Sequence, residues 1–358
     1  PYMKIGFVLN GCDKHITGGV KDIFQYANYL AETAENNVTL YFNMNLGSIK
    51  KIRHLKILQQ YVADKVVQSR PKWYKLNPKI KKKAVLLIDD TTIDNEDVII
   101  ATAVYTANSV AMLSKTRGRK FYFIQGFENW SCTDEYVFET YKLGMNNITV
   151  AKWLSEIVDS KAMKKSVYVS NGIDTDIFYV KRAISQRARH SIAMQYRSVE
   201  CKGSKYALET IRILAEKYTD LKVTVFSMEH EPENLPSCCN FIMDASQEKV
   251  AEINNNAEIF ICSSIVEGFG LPGLEAMACG CTLVATECKG TLDYAKHGEN
   301  ALISPVKDAW SMAQNIIELF ENSDLRIRLA ENAQRTAAQR SVKASAEKFA
   351  QALLQPPL

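Results

Sequence analysis

No stretch of this chain approaches 18 uninterrupted apolar residues, the length a helix needs to cross a bilayer, so no membrane span is expected. The first residues, PYMKIGFVLN, lack a charged segment followed by a long apolar run and a small-residue cleavage site, so no secretory leader is expected there. The nine cysteines are scattered. Neither Cys238 with Cys239 nor Cys279 with Cys281 has the spacing of a zinc site, and no metal is expected. Free thiols in a reducing compartment, and hence a cytoplasmic location, are the expectation. None of the five histidines occupies a catalytic motif, although His15 lies close to a glycine pair. Internal repeats and low-complexity tracts are also missing.

What is present is ordinary globular composition, with 47% hydrophobic and 23% charged residues over 358 positions. That length exceeds what one hydrophobic core usually supports, so two α/β domains are expected. The net charge of +4 hides an uneven distribution. Residues 49–83 carry twelve Lys or Arg against the single acid Asp64, which leaves the rest of the chain at −7. Ile49, Ile52, Leu55, Leu58, Val62 and Val66 recur at helical spacing, Lys50, Lys51, Arg53 and Lys56 take other faces, and Trp73 and Tyr74 follow. Such a helix suits an anionic membrane surface. It equally suits packing on its own domain with a solvated basic rim. Nucleic acid is not expected, because no recognition motif accompanies the charge.

Short apolar runs alternate with helix-patterned stretches, which implies parallel sheets. In the N-terminal half the runs are Lys4–Leu9, Val38–Phe42, Ala84–Ile88, Val98–Ala101, Phe121–Ile124 and Ile148–Val150. A polar, basic connector follows near Lys181–His190. The runs then resume at Ser191–Tyr196, Lys222–Ser227, Asn240–Met243, Glu258–Cys262, Thr282–Thr286 and Ala301–Ser304. From Val306 onward the pattern is helical up to Pro356 and Pro357, which stop a helix. The expected domains are 1–170, 171–340 and a terminal helix over 341–358.

The most informative segment is Glu267–Cys281, EGFGLPGLEAMACGC, between two of these strands. Gly268 and Gly270 permit close backbone approach, Pro272 suits the first turn of a helix, and the unpaired amides there favour an anion. Glu275 falls within about one turn of that helix start, where a carboxylate can accept hydrogen bonds from ribose hydroxyls. Glu267 precedes it in the loop, so two carboxylates flank one phosphate seat.

This segment resembles the Glu, seven residues, Glu signature of family 4 glycosyltransferases, down to the GFGLP core and the following LEAMACG. The resemblance implies a GT-B fold, two Rossmann-like doubly wound domains facing across a cleft, with the donor nucleotide on the C-terminal one and the acceptor on the N-terminal one. It implies that Glu275 binds the nucleotide ribose, Glu267 a hydroxyl of the donor sugar, and the amides around Phe269, Gly270 and Leu271 the diphosphate. Arg197, five residues before Lys202, resembles the basic pair that clamps the donor pyrophosphate, where fixed cations stabilise charge developing on the leaving group. TGGVKDIF resembles the family's glycine loop, in which Gly18 and Gly19 approach the donor phosphates. SNGIDTDIF, Ser170–Phe178, is similar to the family's entry into the interdomain linker, and the final helices would cross back to the N-terminal domain.

The implied activity is retaining transfer of a hexosyl or rhamnosyl unit from a nucleoside-diphosphate sugar, with no cofactor, to a glycan or lipid-linked acceptor in cell-surface polysaccharide synthesis. Asp89 and Asp90 are then surface loop residues rather than metal ligands. One departure is notable. Many family members carry a histidine near the reacting sugar, whereas FIQGFENW here offers Gln125, Glu128 and Asn129. That stretch is similar to the QDxEP-like stretch of polysaccharide rhamnosyltransferases. Among rivals, a sugar-nucleotide epimerase would isomerise the donor without an acceptor. An NAD-dependent oxidoreductase is suggested by a literal G-x-G-x-x-G at Gly268, Gly270 and Gly273 with Glu287 ending the next strand. Against the oxidoreductase, several residues separate the strand from the first glycine, and Glu267 and Pro272 have no purpose in that fingerprint.

Overall fold

In the computed structural model, residues 2–12, 14, 18–33, 36–44, 55–130 and 132–354 are described. They form two compact units, one of residues 1–170 with 343–358 and the other of residues 171–342.

The first unit is a seven-stranded parallel sheet: β1 (Lys4–Asn10), β2 (Asn37–Asn43), β3 (Lys81–Val85), β4 (Val98–Ala101), β5 (Arg119–Ile124), β6 (Asn146–Thr149) and β7 (Val167–Tyr168). Their order across the sheet is β3-β2-β1-β4-β5-β6-β7. Five helices connect them: α1 (Gly18–Thr33), α2 (Lys56–Ser69), α3 (Val104–Met112), α4 (Asp134–Tyr141) and α5 (Lys152–Lys161). The strands are short apolar runs because both sheet faces are covered, as parallel sheets require; β1, for example, is buried over Ile5–Leu9. Strand β7, only two residues long, went unread in the sequence. The others shift by up to three residues at their ends, most at β3, where three lysines begin the strand.

The second unit is a six-stranded parallel sheet of β8 (Ser191–Gln195), β9 (Lys222–Ser227), β10 (Cys239–Met243), β11 (Ile259–Cys262), β12 (Thr282–Thr286) and β13 (Ala301–Ser304), in the order β10-β9-β8-β11-β12-β13. Helices α6 (Ser204–Lys217), α7 (Gln247–Asn256), α8 (Leu271–Ala278), α9 (Ala309–Glu321) and α10 (Ser323–Ala338) pack on it. One core joins Ile192, Val225, Ile261 and Val284 of the sheet to Ile211 of α6 and Ile316 of α9. The helical tail is broken where Asn322 caps α10, its side chain accepting from Leu325 N. Helix α11 (Val342–Leu354) returns to the first unit, where Phe349 packs on Phe7, Tyr26 and Phe123.

The basic segment requires correction. Ile49, Lys50, Lys51, Ile52 and Arg53 lie outside the described residues, as does His15. In α2 the buried face is Gln59, Ala63 and Val67, whereas Leu55, Ile57, Leu58 and Tyr61 are exposed. Of the stripe read from the sequence, Leu55 and Leu58 are exposed while Val62 and Val66 are half-buried. The basic residues also divide. Lys82 Nζ donates to the carbonyls of Val67, Gln68 and Arg70, capping the C-terminus of α2, where a cation offsets the helix dipole. Lys83 pairs with Asp94, and Arg70 donates to the Cys12 carbonyl. Trp73 and Tyr74 stack on Phe24 of α1 and are not free aromatics.

Candidate functional site

Each sheet is built outward in two directions from its middle, and the strand order reverses between β8 and β11 in the second unit. At such a switch point the loops leaving the two strands diverge and open a crevice for ligand. Arg197 and Lys202 lie on the loop after β8, and Glu267–Gly270 on the loop after β11. The loops are stitched together: Ile265 N and Val266 N donate to the Cys201 carbonyl at 2.8 and 3.1 Å, and Ser263 Oγ donates to the Lys202 carbonyl at 3.2 Å. This closeness demands Gly203. Its φ is +61°, and a Cβ there would stand 2.0 Å from the Ser263 carbonyl oxygen.

Between these loops Lys202 Nζ meets Glu267 Oε2 at 2.7 Å, and Ser264 Oγ donates to Glu267 Oε1 at 2.7 Å. Burial alone would lower the Lys202 pKa, but the Glu267 charge and hydrogen bond outweigh it and the ammonium is held above its ordinary value. Arg197 Nε donates to Glu229 Oε1 at 2.8 Å, and Ser198 N donates to Glu229 Oε2 at 2.7 Å. Burial pushes the Glu229 carboxyl up, yet the bonds from Ser198 and Arg197 prevail and hold it below its usual range. Each cation of the pair thus has its own carboxylate. Beside Arg197 a cavity of about 580 Å³ is lined by Tyr196, Ser198, Glu229, His230 and Glu231 among others.

The phosphate-seat segment forms a helix start as its sequence implied, with Gly270 preceding α8 at φ +89° and Pro272 in its first turn. The Gly270 carbonyl accepts from Tyr294 OH at 2.6 Å, and a Cβ on Gly270 would meet the Thr291 hydroxyl at 3.0 Å. The Phe269 side chain is buried on Tyr294, so only backbone is offered there. Glu275 lies one turn into α8 and is 9% exposed. Glu229, Ser264 and Tyr294 belong to this site and were not found in the sequence. They stand remote from the residues they hold or in a tripeptide without a pattern.

The first unit gathers part of the other candidate set. Gly18 opens α1, and a Cβ on Gly19 would meet Gln125 Nε2 at 3.2 Å. Gln125 Oε1 is buried with no hydrogen-bond partner among the described residues. Glu128 Oε2 accepts from the backbone of Val104, the first residue of α3, at 2.7 Å. Burial nevertheless pushes its carboxyl up to about 7. Asn129 instead bonds Asp134 in the first turn of α4 and faces solvent. Asp89 organises its own turn through Thr91 and Thr92, and Asp90 accepts from Ser114 N. None of the nine cysteines is in a disulfide, and burial raises the Cys262 thiol to about 12, too high for it to act as a thiolate. Among the described residues no cluster of three or more metal-ligating side chains forms, and no helix is long and apolar enough to cross a membrane.

Residues 190–336 match the family described as glycosyl transferases group 1. That span contains Arg197, Lys202 and the whole of Glu267–Cys281. The C-terminal unit is therefore a glycosyl transferases group 1 domain. A relative from Campylobacter jejuni, N,N'-diacetylbacillosaminyl-diphospho-undecaprenol alpha-1,3-N-acetylgalactosaminyltransferase, is 27% identical over 166 residues, covering 44% of this chain and 43% of its own. D-inositol 3-phosphate glycosyltransferase of Corynebacterium jeikeium is 30% identical over 170 residues, covering 46% and 37%. The chain thus spans less than half the length of these curated relatives. Among solved structures, Anabaena Alr3699/HepE in complex with UDP and glucose has a TM-score of 0.74 at 14% identity and covers 98% of this chain and 99% of its own. Sucrose-phosphate synthase from Thermosynechococcus elongatus has the same TM-score at 14% identity, covering 97% of each. The fold of the chain is GT-B.

Proposed function

We propose that the chain is a retaining glycosyltransferase that moves a sugar from a nucleoside-diphosphate sugar to a glycan or lipid-linked acceptor. The observation that carries this reading is the meeting of Arg197, Lys202, Glu267 and the start of α8 at the switch point of the second unit. The amides before α8 receive the diphosphate, as helix starts do for anions. Arg197 and Lys202 offset its charge, Lys202 exchanging Glu267 for a phosphate oxygen. Glu267 is then released toward a donor hydroxyl, and Glu275 is assigned to the ribose. The bond from the anomeric carbon to the diphosphate breaks, the acceptor oxygen bonds to the same face of that carbon, and its proton passes to a leaving phosphate oxygen. The cations act by stabilising charge as it develops on the leaving group. No cofactor takes part in this scheme.

Gln125, Glu128 and Asn129 of the first unit are the acceptor-side candidates. The activities of two relatives support a place in surface-glycan synthesis: one acts on a diphospho-undecaprenol, and an Erwinia amylovora relative is an amylovoran biosynthesis glycosyltransferase, 23% identical over 47% of this chain. Whether the unit moved is hexosyl or rhamnosyl follows from the donor. The outward face of α2, with Leu55, Ile57, Leu58 and Tyr61 beside Lys56 and Lys65, supports peripheral attachment at the cytoplasmic side of an anionic membrane. Eight residues, 263–270, separate β11 from α8, and Gly273 lies inside the helix. That spacing is unlike a dinucleotide fingerprint, in which the glycines make the turn itself.

A thermal-shift panel of UDP, GDP, dTDP and ADP tests the reading. A ligand of the native state alone adds about 2.7 kcal/mol at a hundredfold excess over Kd. One nucleotide should raise the melting temperature, and its sugar conjugate should turn over only with acceptor present. Silence from all four overturns the donor site, and isomerisation of the donor without acceptor makes the chain an epimerase.

A further inference from the structure

Arg197 and Glu229 leave the C-terminal ends of neighbouring strands, since β8 pairs with β9 as far as Gln195 against Phe226. Glu229 is fixed from both sides. Its amide donates to Ser227 Oγ at 2.9 Å, and that hydroxyl donates to the Tyr196 carbonyl at 2.9 Å. Its carboxylate takes Ser198 N on one oxygen and Arg197 Nε on the other. Backbone on each side of Arg197 is therefore tied to the residue that holds its side chain. The Arg197 amide is also fixed, donating to Ser204 Oγ at 3.0 Å at the start of α6.

A guanidinium offers five N–H groups in a planar fork. Glu229 uses only the Nε edge, and among the described residues no hydrogen bond takes Nη1 or Nη2. Lys202 differs, because Glu267 engages its single side-chain nitrogen, the same atom that would face an anion. Holding an arginine by Nε removes rotamer freedom before the ligand arrives, so the anion does not have to order that side chain on binding. The same carboxylate is also a negative charge near an anion site. Positioning and repulsion predict opposite signs when it is removed.

We propose that Glu229 is the positioning residue for Arg197, holding the guanidinium by its Nε edge so that both terminal nitrogens remain available to the donor diphosphate. This rests on the donor-site reading above. The test uses inorganic pyrophosphate and UDP, titrated calorimetrically into the full chain and into Arg197→Ala, Glu229→Ala, Glu229→Gln and the Arg197→Ala/Glu229→Ala double variant. Glu229→Ala should weaken both ligands on the order of tenfold, the scale for ordering one long side chain. Glu229→Gln, which keeps an oxygen for Nε, should recover most of that loss. The double variant should bind no more weakly than Arg197→Ala alone, a coupling that general loosening of the loop would not produce. Unchanged or tighter binding by Glu229→Ala, or an equal further loss in the Arg197→Ala background, overturns the proposal. If Glu229→Ala fails to fold, Glu229→Gln decides: its recovered affinity must vanish when Arg197→Ala is added, and persistence of that affinity overturns the proposal. If Arg197→Ala itself binds both ligands like the unaltered chain, the donor-site reading fails instead.

Discussion

Replacing Tyr294 with Phe removes one oxygen atom from the support of the proposed phosphate seat. The ring is buried at 2% exposure and packs on Phe269 with centroids 5.3 Å apart, so Phe retains that apolar packing. What disappears is the 2.6 Å bond from the phenol to the Gly270 carbonyl. The carbonyl is not stranded, because Gly273 N also donates to it at 3.2 Å. The Thr291 hydroxyl, which faces the same side of Gly270 as the phenol, loses that polar neighbour and has among the described residues only a long contact to Cys262 Sγ at 3.9 Å. A buried hydrogen bond contributes about 1 kcal/mol, and an imperfectly satisfied hydroxyl adds a fraction more, which gives a loss of about 1.5–2 kcal/mol. For a domain of 150–250 residues each kcal/mol moves the melting temperature by about 2–4 °C, so calorimetry should show a fall of about 3–8 °C. The phenol fixes the Gly270 carbonyl at the turn into α8, and nucleoside diphosphate affinity should fall together with stability. A melting temperature within about 1 °C of the unaltered chain, with affinity intact, would refute the view that Tyr294 braces the seat.

Glu275→Ala should lose both activity and affinity for the bare nucleotide, by about 1–3 kcal/mol for a charged hydrogen-bond partner. Glu267→Ala, which frees Lys202, should keep or tighten nucleotide binding while kcat falls; calorimetry and turnover on both variants check the pair, and the reverse pattern would exchange their roles. The Glu128 carboxyl is raised from 4.5 to about 7 in the folded chain, so between those values the native state binds the extra proton. Stability from this group should fall by about 3 kcal/mol as pH rises through about 4.5–7, and Glu128→Gln should flatten that part of the stability profile; an unaltered slope would show that Glu128 titrates normally. For α2, sedimentation with phosphatidylglycerol vesicles should carry the protein down at low salt and release it at high salt, since exposed charges are screened. Ile57→Asp with Leu58→Asp should abolish binding without changing the melting temperature, because both side chains are exposed, and a protein that stays in the supernatant at low salt disproves the attachment.

The alternation of strand and helix was legible in the sequence because parallel strands covered on both faces must be apolar runs, as in VII of β4 and LVA of β12. The helix start after Glu267–Gly270 was legible for a related reason. A glycine at positive φ followed by proline in the first helical turn is a local backbone requirement, and local requirements are written in adjacent residues. Strand β7 escaped because two residues carry no period.

Side-chain partnership was decided by the tertiary structure. Glu229 stands 32 residues from Arg197 and Tyr294 stands 24 from Gly270, and only the pairing of β8 with β9 and the fold of the loop after β12 bring them together. The direction of α2 was decided in the same way. Its sequence holds two apolar faces, and contact with β3 selected Gln59, Ala63 and Val67 for burial, leaving Leu55 and Leu58 outside. Helical period reveals which residues share a face, but which face is covered depends on the neighbour that arrives.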